Sequence, residues 1–140
     1  MKRTGFTMIE LIFVIVILGI LAAVAIPKLA ATRTDAEVSK GATEIAGVIT
    51  DVGSYYTAQG SFANDVSTMT NVTLDANLTS GAGATNYAIG GSNCISFTFK
   101  ADGNVTVASV TNTAVVCVGL QGAVADLMKE HSFGGASVSY

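Results

Sequence analysis

The stretch Lys2-Arg3-Thr4-Gly5-Phe6-Thr7-Met8-Ile9-Glu10, the sixteen residues Leu11–Ile26 (LIFVIVILGILAAVAI) and Pro27 decide how this chain is read. Leu11–Ile26 contains no charged or polar side chain. Phe6–Ile26 is 21 residues, about 32 Å as a helix at ~1.5 Å per residue, enough to cross a hydrocarbon core of ~30 Å. Lys2 and Arg3 precede the span, so the N-terminus should stay cytoplasmic and the rest should leave. A secretory signal peptide would have a shorter apolar region with a small-residue cleavage site behind it. Ala22, Ala23 and Ala25 could mimic such a site, but the run is too long. An ordinary membrane anchor explains the hydrophobicity and leaves Glu10 unexplained.

Glu10 sits inside the apolar stretch, one helical turn from Phe6. A carboxylate in hydrocarbon is costly, so such a residue points to function and calls for a cationic partner. No basic side chain lies within helical reach: Lys2 and Arg3 are beyond one end of the span, Lys28 beyond the other. A new α-amino group on Phe6, released by cutting after Gly5, would supply the cation.

The run Gly5-Phe6-Thr7-Met8-Ile9-Glu10-Leu11-Ile12, continued through Ile17–Pro27, resembles the cleavage and methylation motif of type IV prepilins and type II secretion pseudopilins. The resemblance implies a prepilin peptidase that cuts between Gly5 and Phe6 and methylates the Phe6 amine. It implies that Glu10 meets a neighbour's amine during assembly, and that the apolar helix is membrane anchor first and filament core later. It gives Gly19 and Pro27 the role of flexible points, because related filaments are often unwound between such residues. A helix-interior proline removes a hydrogen bond and clashes with the carbonyl four residues back, here Ala23.

The expected fold is α+β: a long N-terminal helix whose apolar half is transmembrane, carrying a small antiparallel sheet. The expected organisation is a leader at 1–5, the membrane and filament-core helix at 6–27, an amphipathic half at 28–60 and a globular head at 61–140. In the helix, Arg33 with Glu37 and Lys40 with Glu44 are i,i+4 pairs. Ile45, Val48, Ile49, Val52 and Tyr55 or Tyr56 form an apolar stripe ended by Gly60. Thr, Asn, Ser and Gly dominate residues 61–91, which read as the connecting loop. Ile95, Phe97 and Phe99 alternate with polar residues as a strand, Asp102-Gly103 reads as a two-residue hairpin turn, and Val105 and Val107 continue the same face. Val116, Leu120, Val124, Leu127 and Met128 fit a short helix with Lys129 and His131 near its end and Gly134-Gly135 as its stop. Residues 136–140 read as a last strand.

Cys94 and Cys117 follow the apolar segment; exported, they would form a disulfide, whereas in a cytosolic domain they would be two buried thiols. Asp75-Ala76-Asn77-Leu78-Thr79 and Asp102-Gly103-Asn104-Val105-Thr106 resemble the acidic extended acceptor sequence of bacterial N-glycosylation, marking Asn77 and Asn104. Asn71-Val72-Thr73 has only the short form. Tyr55 and Tyr56 read as a bridge from helix to sheet, and the single histidine, His131, as solvated.

Of 140 residues only 12% are charged and the net charge is −3, which gives no basic footprint for nucleic acid. No nucleophile–base set, metal spacing or phosphate loop occurs, so neither enzyme activity nor cofactor nor metal is expected. The resemblance implies a structural subunit of a homo-oligomeric helical filament, a major pilin or a relative. The alternative is a pseudopilin of a secretion or DNA-uptake machine. The acidic calcium loop common in major pseudopilins has no counterpart, since only Asp126 and Glu130 follow Cys117, on one expected helix face. The implied partners are the peptidase and an inner-membrane assembly platform with its ATPase. The chain would be inserted in the inner membrane before assembly and lie in an extracellular pilus or periplasmic pseudopilus afterwards.

Overall fold

The computed structural model of the chain describes Met1 and residues 5–134. Lys2, Arg3 and the strand expected at 136–140 lie outside the described residues. One helix, α1 (Met8–Gln59), contributes to two compact units, Met1–Thr34 and Asp35–Tyr140.

In the first unit, every described residue from Gly5 to Arg33 is exposed. Phe13, Leu18, Leu21, Ile26 and Leu29 all stand open. Apolar surface of this extent needs a cover of lipid or protein. α1 is helical through both Gly19 and Pro27, so the single chain holds no unwound segment between them. Thr32 and Thr34 donate their hydroxyls to the carbonyls of Lys28 and Ala30, four residues back in the same helix.

In the second unit, α1 buries Gly41, Ile45, Val48, Val52 and Gly53. Gly41, Ile45, Val48 and Val52 recur at the three- and four-residue spacing of one helix face, Gly53 lies beside Val52, and Ile49, Tyr55 and Tyr56 flank them, half-buried. Gly60 ends the helix with φ +74, its amide donating to the Tyr56 carbonyl at 2.7 Å. The apolar face packs with an antiparallel sheet of order β1-β2-β3-β4, made of β1 (Gly83–Ile89), β2 (Ser92–Phe99), β3 (Asn104–Ser109) and β4 (Glu130–Ser132). Phe97 pairs with Val107 and Phe99 with Val105. All four face the core, at 2% exposure or less.

Four local expectations are corrected. First, β1 lies inside the segment read as a connecting loop. Its inward residues are Thr85 and Tyr87, which carry polar groups and so hide the alternation. The loop before it also joins the core through Phe62, Val66, Met69 and Leu78. Phe62 meets Phe99 edge-on at 5.1 Å and Tyr56 at 4.7 Å, so Tyr56 bridges helix and head.

Second, the β2–β3 hairpin loop has three residues rather than two. Lys100 and Asn104 close it, and Gly103 takes the left-handed position at φ +87. Third, α2 (Val115–Ala123) stops before Val124, and a single 3-10 turn follows at Ala125–Leu127. His131 is therefore not at a helix end: it lies in β4 opposite Val105, with Nε2 2.9 Å from the Leu127 carbonyl. Gly134 sits against the Asp102 carbonyl instead of stopping a helix. Tertiary pairing sets this ending, because the Lys129 carbonyl accepts from the Val107 amide and draws the chain onto β3. Fourth, Asp126 lies in the 3-10 turn and Glu130 in β4, so they share no helix face.

Candidate functional site

The start of α1 is built by Thr7 and Glu10. The Thr7 carbonyl accepts the first helical hydrogen bond, from the Leu11 amide at 3.2 Å. Thr7 Oγ1 accepts from the Glu10 amide at 3.3 Å, and Glu10 Oε2 accepts both the Thr7 amide and the Thr7 hydroxyl at 2.8 Å. This reciprocal arrangement is a capping box, Thr-x-x-Glu, and it satisfies helix-end donors that would otherwise lack partners. A carboxylate in the first turn also suits the positive pole of the helix. Glu10 in the single chain is thus bonded to its own helix cap. Thr7 is the residue that reading for chemistry overlooks; its signal was present as Thr7-Met8-Ile9-Glu10.

Gly5 and Phe6 stand before the helix, both exposed. Their peptide bond lies outside the helical segment, two residues before its first member. Phe6 presents its ring openly, at 88% exposure.

Residues 1–26 match the prokaryotic N-terminal methylation motif. By this signature the N-terminal segment is of the prepilin type. The match takes in Gly5, Phe6, Glu10 and the apolar helix as far as Ile26. No curated protein and no solved structure matches the chain. The prepilin signature is the hallmark of type IV pilins and pseudopilins, and it implies processing by prepilin peptidase and assembly into filaments. The open apolar helix fits membrane anchoring before assembly.

The head holds the other residues singled out by sequence. Cys94 and Cys117 are bonded, with Cα atoms 4.9 Å apart and both residues fully buried, joining β2 to α2. Gln121 strengthens the same junction, its Nε2 donating to the Cys94 and Val110 carbonyls at 2.9 and 2.8 Å. Asn77 is exposed in the loop before β1, and Asn104 is half-buried at the start of β3.

Two further polar contacts organise the head. Asp75 accepts from the Asn86 amide at 2.6 Å, the Asn86 side chain at 2.8 Å, the Thr85 hydroxyl at 3.1 Å and the Asn93 side chain at 3.2 Å. Burial pushes the Asp75 carboxyl up, but the bonds from Asn86, Thr85 and Asn93 outweigh it and hold it below the usual value. Tyr87 donates its hydroxyl to Glu44, which also pairs with Lys40 at 3.4 Å. Burial first, and the Glu44 carboxylate second, push the Tyr87 phenol above its ordinary value. An open groove of about 390 Å³ runs beside this pair, with Asn71, Thr73 and Ile89 in its wall.

Proposed function

We propose that the chain is a structural subunit, cut between Gly5 and Phe6, methylated on the Phe6 amine and polymerised into a helical filament of the type IV pilus class. The observation that carries this reading is a glutamate within the motif-bearing end of an apolar helix that its own chain leaves uncovered. Lipid covers that helix before assembly and neighbouring copies cover it afterwards. Glu10 exchanges its Thr7 cap for the Phe6 amine of an adjacent subunit. Such a role suits a subunit of the shaft, which has a neighbour above it to engage. The platform and ATPase supply the work of extraction, and the head supplies the filament surface.

Intact mass spectrometry of the mature protein tests the reading. Cleavage removes Lys2 and Arg3, two of seven basic side chains, and leaves five against ten acidic ones, a net charge of −5. The expected species begins at an N-methylated Phe6. A mature protein still starting at Met1, or starting beyond Ala25, overturns it.

A further inference from the structure

The segment Asp75–Thr79 leads from the loop towards β1. It is tied down at both ends. The Asp75 amide donates to the Asn86 carbonyl at 3.1 Å and the Ala76 amide to Thr85 Oγ1 at 3.1 Å. Further along, the Leu78 amide donates to the Asn64 carbonyl at 2.8 Å, and the Thr79 amide to the Ala82 carbonyl at 2.9 Å. Between these ties exposure alternates: Leu78 is buried, while Asn77 and Thr79 are exposed. Asn77 Oδ1 accepts from the Val66 amide at 3.4 Å, and among the described residues nothing bonds Asn77 Nδ2 or the Thr79 hydroxyl. The side-chain nitrogen and the hydroxyl two residues on are thus open together, the Asn-x-Thr pattern of N-linked glycosylation. Among the described residues Asp75, two residues before Asn77, is bonded only by neutral donors, so no cation offsets its negative charge beside the acceptor.

We propose that Asn77 is an N-glycosylation site, taking an oligosaccharide from a polyprenyl-pyrophosphate-linked donor once the head has left the cytoplasm. The inference rests on the export that the filament reading requires. Asn77 Nδ2 attacks the anomeric carbon of the donor sugar. The new C–N bond forms as the bond from that carbon to the pyrophosphate oxygen breaks. The lipid pyrophosphate leaves with the bonding pair, and one amide proton passes to a base of the transferase. Nothing is oxidised or reduced.

Asn104 carries the same five-residue pattern but is closed by the fold. Its Nδ2 donates to Asp102 Oδ2 at 3.1 Å, and its amide to Asp102 Oδ1 at 3.1 Å. Thr106 lies within the ladder, opposite Thr98 on one side and Glu130 on the other. Reaching this acceptor requires opening the β2–β3 hairpin and stripping β4. Asn71 and Thr73 are exposed, but the residue two before Asn71 is the buried Met69 and carries no charge.

The test expresses the full chain in bacteria that supply an undecaprenyl-pyrophosphate-linked oligosaccharide and its transferase, beside an exported control protein with a proven acceptor. Intact mass and glycopeptide mapping are read together with the thiol state of Cys94 and Cys117. One oligosaccharide per chain is expected, on Asn77. Asn77→Gln and Thr79→Ala should each lower occupancy at least tenfold, and Asn104→Gln should leave it unchanged. Sugar on Asn104 or Asn71 ahead of Asn77, or a bare chain with an intact disulfide beside a modified control, overturns the site alone. A chain whose cysteines stay reduced shows that the head was not exported, which overturns the filament reading and the site with it.

Discussion

Removing the Cys94–Cys117 bridge should destabilise the head without altering the apolar stretch of α1, Leu11–Ile26. The two sulfurs join β2 to α2 across a sequence separation of 23. Closing a loop of that length restricts the unfolded chain by roughly 3 kcal/mol on the chain-entropy argument. That is about a hundredfold in the folding equilibrium, or roughly 12–24 °C in melting temperature for a domain of about 100 residues. The double variant Cys94→Ala/Cys117→Ala loses this term and also the packing of two fully buried sulfurs. Reduced wild-type protein loses the constraint but keeps the sulfur atoms in place. Three samples therefore separate the two effects: oxidised wild type, wild type under reductant, and the double variant. All four tyrosines lie beyond residue 54. Near-ultraviolet tyrosine dichroism of the detergent-solubilised chain thus reports the head and not the apolar helix. The expected order of melting is oxidised wild type highest, reduced wild type next, double variant lowest. Coincident melting of oxidised and reduced wild type would refute the loop argument, because it would show that Gln121, Leu120 and Val124 alone hold α2 on the sheet.

Glu10→Gln retains a capping-box partner for Thr7, because glutamine accepts the same amide, and removes the charge. The variant, as sole copy, should insert and be cut after Gly5 normally yet yield far fewer sheared fibres; wild-type fibre yield from fully processed variant would refute the role of the charge. Asp75→Asn should lower the urea midpoint of the head at neutral pH. The Asp75 carboxyl titrates lower in the folded head than in the unfolded chain, so its stabilisation is present above the ordinary aspartate range near ~3.9 and is lost as pH falls through the depressed folded value. The wild-type and variant midpoints should therefore converge in acid, and a gap that stays constant throughout would count against the clasp.

The parts of the head legible in sequence are those whose burial is announced by apolar residues. Ile95, Phe97, Phe99, Val105 and Val107 declare two strands at a period of two, and Ile45, Val48 and Val52 declare a helix face. β1 escapes because Thr85 is an inward residue with no exposure whose hydroxyl donates to Asp75 at 3.1 Å. A buried threonine is tolerable only with such a partner, and the partner lies ten residues away in what sequence presents as loop. β4 escapes for a different reason. Glu130-His131-Ser132 has no apolar alternation, and its conformation comes from backbone pairing with β3. Phe133 then covers Gly53 of α1, a contact in which the absence of a side chain is the signal. Polar patterns and glycines encode these contacts only in combination with a distant residue, so a local reading passes over them.

The site shows the converse limit. Glu10 is conspicuous because its charge clashes with the apolar run around it, and that clash suggests a charge waiting for a cation, whereas Gly5 and Phe6 stand out only through the resemblance. The capping box changes the energetics of that wait. With Thr7 giving two hydrogen bonds to its carboxylate, Glu10 is held at the helix start before any neighbour arrives. In the proposed filament, docking of an amine is then an exchange of partners, two neutral donors for a cation, and not the rescue of an unpaired charge. Charge-assisted bonds are stronger when donor and acceptor are both ionised, and the gain grows where water is excluded. The exchange is therefore favoured by the apolar surroundings that Leu11–Ile26 provides on every copy. It is least favoured in water, where both partners of the new pair are solvated. Assembly driven in this way depends on lipid or neighbouring helices being in place first. That ordering makes the apolar helix a condition for the charge pair as well as a packing surface in its own right.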